Sequence, residues 1–167
     1  GGTNARFAVV DINTLELSEH PSLVDIAKAY LGGLGTAPRH GAITVAAPIR
    51  GELISLTNSS WRCSRAHLRD AIAFEDLLVL NDFQALALSL PHLQGSALRQ
   101  IGGLGIISRE PKVVVGPGTG LGFAGLVWGG DAWIAISTEG GHVSLAAHTP
   151  LEQEIACKLA VGRDRLS

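Results

Sequence analysis

The sequence predicts an α/β fold, and three observations carry that expectation. Candidate strands and helices alternate along the chain instead of clustering by type. Leu77–Leu80 is a short run without a polar side chain, the mark of a central strand covered on both faces. Residues 1–8 and 117–124 echo one another: Gly2 matches Gly118, Thr3 matches Thr119, Phe7 matches Phe123 and Ala8 matches Ala124. Each copy leads a strand-turn-strand unit. A long-period repeat of this kind describes two related half-domains facing each other. Each would offer one Gly-Thr turn of exposed backbone amides, a natural grip for a phosphate chain.

The elements follow in order. Phe7–Asp11 and Leu15–Ser18 read as strands joined by a turn at Ile12-Asn13-Thr14. Pro21 opens a helix that runs to Leu31, where Gly32-Gly33 stops it, and Gly35–Arg39 is loop. Ala42–Ala47 is a strand, and Glu52–Thr57 is another after Pro48. Ser64 caps a helix through Ala73 with Leu68 and Ile72 on one face. Asn81-Asp82 ends the apolar strand, and Phe83–Leu90 is helical. The Gly-rich stretch from Pro91 to Pro111 is the expected joint between a small α/β domain, residues 1–110, and the start of a larger one, residues 111–167. Lys112–Val115, Leu121–Trp128 and Ala132–Ile136 form a three-stranded meander with Gly129-Gly130-Asp131 as its second turn. The last helix runs from Pro150 to Val161, with Thr149 and Glu152 as a capping box and Gly162 as its stop. The first copy of the echo lacks the strand that leads into the second. The second copy stops after about fifty residues, where the first suggests a longer half. The chain therefore reads as truncated at both ends.

Composition narrows the function. The 167 residues are 46% apolar, enough for a real core. A formal charge of −2 gives no electrostatic reason to expect nucleic acid or an anionic membrane as partner. Cys63 and Cys157 are far apart and lack metal spacing, which fits a reduced cytoplasmic protein better than a disulfide scaffold. No His lies at ligand spacing, so no protein-bound structural metal is expected. Mean hydropathy is positive, and Val113–Gly130 carries no charge. Pro117 and seven glycines interrupt that stretch, however, and its pattern is strand-turn-strand, so no membrane span is expected.

Four places carry candidate chemistry. Gly116-Pro117-Gly118-Thr119-Gly120-Leu121-Gly122 reads as a phosphate cradle or as a Gly-rich hairpin turn. It lacks the Gly-Lys-Ser/Thr ending of a Walker A loop. Gly120-x-Gly122-x-x-Gly125 enters a strand and not a helix, so it fails the dinucleotide-binding context. Asn81-Asp82 lies where a buried strand meets a helix. Asp82 either deprotonates a substrate hydroxyl during phosphoryl transfer or caps the helix. Glu139-Gly140-Gly141-His142 either exchanges hydrogen bonds with a polyol or is a plain surface turn. Thr57-Asn58-Ser59-Ser60-Trp61 sets polar groups beside an aromatic ring, as at sugar sites, or is a capped loop with Trp61 in the core. Arg6 meets phosphate or solvent on equal terms.

Taken together, the opening Gly-Gly-Thr-Asn-Ala-Arg-Phe, Thr57-Asn58-x-x-Trp61, Leu80-Asn81-Asp82-Phe83, Gly116–Gly122 and Glu139-Gly-Gly-His-Val143 resemble the bacterial glucokinase family. The motifs stand in that family's order and at about its spacings across essentially the whole chain. The resemblance implies an actin/hexokinase-like (ribonuclease H-like) two-domain fold with glucose and ATP in the cleft between domains. It implies Asp82 as the base for the sugar 6-hydroxyl. Asn81, Glu139 and His142 would hold sugar hydroxyls, Gly2 and Thr3 would form the first phosphate loop, and Gly118, Thr119 and Gly120 the second. Mg²⁺ is implied as the companion of ATP, although the Asp that the family places before Gly-Gly, linked to the Mg²⁺ site, precedes the start of this chain. A further sugar-contacting Glu and the adenosine region are expected beyond residue 167, so the segment alone is expected to be inactive. After His142 the sequence has Val-Ser-Leu-Ala-Ala where the family often carries an acidic residue. The cysteine cluster of the related repressor–kinase group is absent there, which favours the glucokinase branch. The resemblance is compatible with a homodimer. A sugar-responsive regulator that keeps the cleft is the alternative reading, and an intact Asn81-Asp82 favours the enzyme.

Overall fold

The fold is described from a computed structural model covering residues 4–8, 12–47, 49, 51–55, 61–103, 105, 107–118, 120–144 and 146–162. The chain divides into two compact units, Gly1–Ala85 and Leu86–Ser167.

The first unit opens with an antiparallel hairpin of β1, Asn4–Ala8, and β2, Ile12–Glu16. Ile12, Asn13 and Thr14 pair with Ala8, Phe7 and Arg6 as strand residues and are not the turn expected there; residues 9–11 lie outside the described residues. Asn13 is a turn former by local preference, but here it pairs with Phe7, and ladder pairing overrides that preference. Helix α1, Leu23–Gly32, starts behind Ser22, whose hydroxyl accepts from the Asp25 amide at 3.2 Å. Its inner face carries the fully buried Ile26 and Ala27.

Strand β3, His40–Val45, runs parallel to β6, Asp76–Asn81. Between them in sequence lie β4, Leu53–Ser55, and β5, Arg62–Ser64, paired antiparallel, and then helix α2, Arg65–Ala71. Ser64 caps α2 through the His67 amide, as expected. Ala27, Val45, Ala47, Ile54, Leu68, Ile72 and Val79 form the core. A Cβ at Gly41 would run into the Phe74 ring, which would have to shift to admit a side chain there. One expectation fails here: β6 is not covered on both faces. Leu77 packs against the core and Val79 is part of it, whereas Leu78, on the opposite face, is 53% exposed. A short apolar run shows that a strand is wanted but not how many of its faces find a partner.

Helix α3, Asp82–Ser89, follows β6 without a break and contains the boundary between the units. In the second unit, short 3-10 turns at Leu90–His92 and Gly95–Ala97 lead toward β7, Lys112–Pro117. With β8, Leu121–Trp128, and β9, Trp133–Ser137, it forms the expected antiparallel meander, β8 in the middle. Ala124 and Leu126 of the central strand are fully buried. At the far end Trp128 and Trp133 meet edge to face at 5.3 Å, with Arg109 and Lys112 each 4.9 Å over one of the rings. A 3-10 turn at Gly140–His142 follows β9. Helix α4, Pro150–Leu159, then begins with the full Thr149–Glu152 capping box.

Candidate active site

Asn81 is the last residue of a parallel strand, at the end where ligands gather in sheets of this kind. Its side chain is held from both sides. The Nδ2 donates to the Ala47 carbonyl at 3.3 Å, and the Oδ1 accepts from the Phe83 amide at 3.0 Å. Its own amide donates to Gln84 Oε1 at 3.2 Å. One half-buried side chain thus ties the segment after β3 to the start of α3.

Asp82 is the first residue of α3. Its Oδ1 accepts from the Phe83 amide at 2.9 Å, so one N–H is shared between Asn81 and Asp82. The bond that reaches two residues forward, as a helix cap does, comes from Asn81. Among the described residues the second Asp82 oxygen has no partner.

In the second unit, Gly116–Gly122 forms the β7–β8 hairpin, closed by the Gly116–Gly122 and Pro117–Leu121 pairs. The Gly118 amide donates to the Gly120 carbonyl at 2.8 Å. That donor is turned into the hairpin, which differs from the exposed amide expected there. The outer side is open: a Cβ on Gly120 would meet nothing within 4 Å, and one on Gly118 only the Gly120 carbonyl at 3.8 Å. A side chain at either position would thus meet little of the rest of the chain. Gly2, Thr3, Thr119, Thr57 and Asn58 lie outside the described residues.

Glu139 and His142 are brought together, with Oε2 and Nδ1 3.2 Å apart. Both are exposed, so the pair has acceptors and donors to offer a polyhydroxy ligand. The turn between them closes through the His142 amide on the Glu139 carbonyl, 2.8 Å. The two glycines are a packing requirement. A Cβ on Gly140 would lie 2.8 Å from the Phe123 ring, and one on Gly141 would sink into the Leu121 carbonyl. Only bare backbone lets this turn rest on β8.

Thr138 completes the turn and escaped the sequence reading. Its hydroxyl donates to the Phe123 carbonyl at 3.1 Å and accepts from the Gly140 amide at 3.1 Å. The signal was available: a Thr at a strand end, two residues before a glycine, is the pattern of a hydroxyl-closed turn. Trp61 lines a cleft of about 510 Å³ in the first unit, together with Leu23, Val24, Ile54 and His67. Burial raises the thiol pKa of Cys63, which also lines that cleft. Among the described residues no three His, Cys, Asp or Glu side chains cluster as metal ligands. None of their helices is long and apolar enough to cross a membrane.

The glucokinase family model matches residues 1–167. The glucokinase of Aromatoleum aromaticum is 44% identical across all of this chain and 54% of its own length. That of Neisseria gonorrhoeae is 39% identical across 91% of this chain and 49% of its own. A crystal structure of a glucokinase from an Antarctic psychrotroph covers 99% of the chain with a TM-score of 0.87 at 32% identity, over 56% of its own length. A Balamuthia mandrillaris glucokinase solved with glucose covers 95% at a TM-score of 0.61 and 20% identity, a likeness of fold. These likenesses define the fold class as α/β, actin/hexokinase-like. The chain belongs to the glucokinase family. It spans about half the length of the curated relatives it matches. Nothing in these matches supports the regulator reading.

Proposed function

We propose that the protein carrying this chain transfers the γ-phosphoryl group of ATP to the 6-hydroxyl of glucose in the cytoplasm. The observation that carries the reading is Asp82: a carboxylate at the carboxyl end of a parallel strand, with one oxygen fixed by a backbone amide and the other unpartnered among the described residues. A carboxylate so held can accept a proton without losing its position. Family membership supports glucose as the acceptor.

In this reading Asp82 takes the proton of the 6-hydroxyl as its oxygen attacks the γ-phosphorus. The bond from that phosphorus to the bridging oxygen breaks, and ADP leaves. Asn81, pinned to Ala47 and Phe83, orients the sugar, and Glu139 and His142 hold further hydroxyls. Polar groups placed to pair each hydroxyl would disfavour sugars that lack one. Gly118, Thr119 and Gly120 cradle the phosphates, with Gly2 and Thr3 as the matching loop, and the open space outside Gly120 supports that role. The described residues supply no carboxylate cluster for Mg²⁺. Residues 1–110 form the smaller domain and residues 111–167 open the larger one.

ADP release by the protein carrying this chain, followed over a panel of hexoses with ATP and Mg²⁺, tests the proposal. Strong release with glucose supports it. Glucose binding without release from any sugar would overturn it in favour of a sugar sensor.

A further inference from the structure

The turn that carries Glu139 and His142 and the hairpin of Gly118 and Gly120 share one strand. Strand β8 leaves the hairpin at Leu121, and Gly141 rests on the Leu121 carbonyl. Two residues on, the Phe123 carbonyl takes the Thr138 hydroxyl, and Gly140 packs on the Phe123 ring. From these contacts we infer that Thr138 is a positioning residue. It sets the register of the sugar-contacting turn against the phosphate hairpin through one hydroxyl shared between Phe123 and Gly140. The inference rests on the proposed sugar role of Glu139 and His142.

The physical case is one of orphaned groups. Thr138 is half-buried and both bonds of its hydroxyl are to backbone, so an isosteric valine would leave the Gly140 amide unpaired under the turn and remove the side-chain donor from the Phe123 carbonyl. Among the described residues no other hydrogen bond ties Gly140 to β8. The hairpin has its own ladder, paired in register from Lys112↔Leu126 to Pro117↔Leu121, and does not depend on Thr138. The two substrates should therefore respond differently to loss of the hydroxyl. The glucose side loosens, whereas the phosphate side keeps its shape.

The test compares Thr138→Val and Thr138→Ser in the protein carrying this chain. For Thr138→Val the expected result is a glucose KM raised about tenfold or more, with the ATP KM within roughly twofold of the parent. Thr138→Ser, which keeps the hydroxyl, restores the glucose KM. A general loss of stability would instead move both KM values and the melting temperature together, and that outcome overturns the inference. So does an unchanged glucose KM in Thr138→Val. Hydrogen exchange on the parent chain gives a readout independent of turnover. The Gly140 amide is expected to be protected, and free exchange there removes the contact on which the inference stands. If the parent shows no glucose-dependent turnover while Gly140 is protected, the functional reading fails and the geometry of Thr138 stands.

Discussion

Gly141 lies against Leu121 so closely that no side chain fits between them, because a Cβ would penetrate the Leu121 carbonyl group. The glycine pair of the Glu-Gly-Gly-His motif is thus a steric requirement of one short turn on one strand. Gly141→Ala must lift the turn off β8 or bend the strand, at a cost of about 1–3 kcal/mol or more. The expected outcome is a lower melting temperature together with weaker glucose binding. Unchanged glucose binding by a stably folded Gly141→Ala would separate the turn from the sugar site.

Ala73 gives a prediction of the opposite sign. It follows α2 with φ +57°, while the Ala73 amide donates to the Asp70 carbonyl and the Phe74 amide to that of Arg69. This is a Schellman ending, in which glycine is the preferred residue. Ala73 is exposed, so its methyl group contributes little packing. Ala73→Gly is expected to stabilise the first unit by about 0.5–1 kcal/mol, after allowing for the greater freedom of glycine in the unfolded chain. Chemical denaturation measures this directly, and a loss of stability would contradict the left-handed assignment.

The capping box of α4 is expected to respond to pH. Amides of Thr149 and His148 and the hydroxyl of Thr149 hold the Glu152 carboxyl below the usual carboxylate range. A group whose folded pKa is depressed stabilises the folded state above its unfolded value, and that contribution fades as pH falls through the folded value. Protection of the Thr149 and His148 amides is therefore expected to persist at neutral pH and to decline below the ordinary glutamate range. In Glu152→Gln the acceptor remains without its charge, and the decline should vanish. The same pH dependence in Glu152→Gln would assign it to another group.

The two thiols should differ in reactivity. Cys157 is exposed on α4, whereas Cys63 is half-buried on β5 with its pKa raised by desolvation. Because the thiolate is the nucleophile, alkylation at mildly alkaline pH is expected at Cys157 before Cys63. Mass spectrometry after brief iodoacetamide treatment reads the order, and prior modification of Cys63 would contradict its burial.

Much of this was legible in the sequence because local chemistry decided it. Ser64 and Thr149 announced their helices, and Gly129-Gly130-Asp131 announced the turn between β8 and β9. The meander followed from apolar runs bounded by those turn signals. Partnership across the chain was less legible. Leu78 has the composition of a doubly covered strand and is exposed, because coverage is a property of what packs against a strand. Asn13 resembles a turn residue and pairs in a ladder. Thr138 carried a readable turn signal, but the importance of its hydroxyl depends on the Phe123 carbonyl, fifteen residues away in sequence. Asn81 and Asp82 stand side by side in the sequence, yet the forward-reaching bond falls to Asn81, and among the described residues one oxygen of Asp82 has no partner.

The proposed chemistry turns on that carboxylate. The most direct measurement is turnover and glucose affinity of Asp82→Ala, side by side, in the protein carrying this chain. If Asp82 is the base, turnover falls by about 10²–10⁴-fold or more while glucose affinity largely survives. Near-normal turnover would contradict the account and leave Asp82 a structural residue at the start of α3.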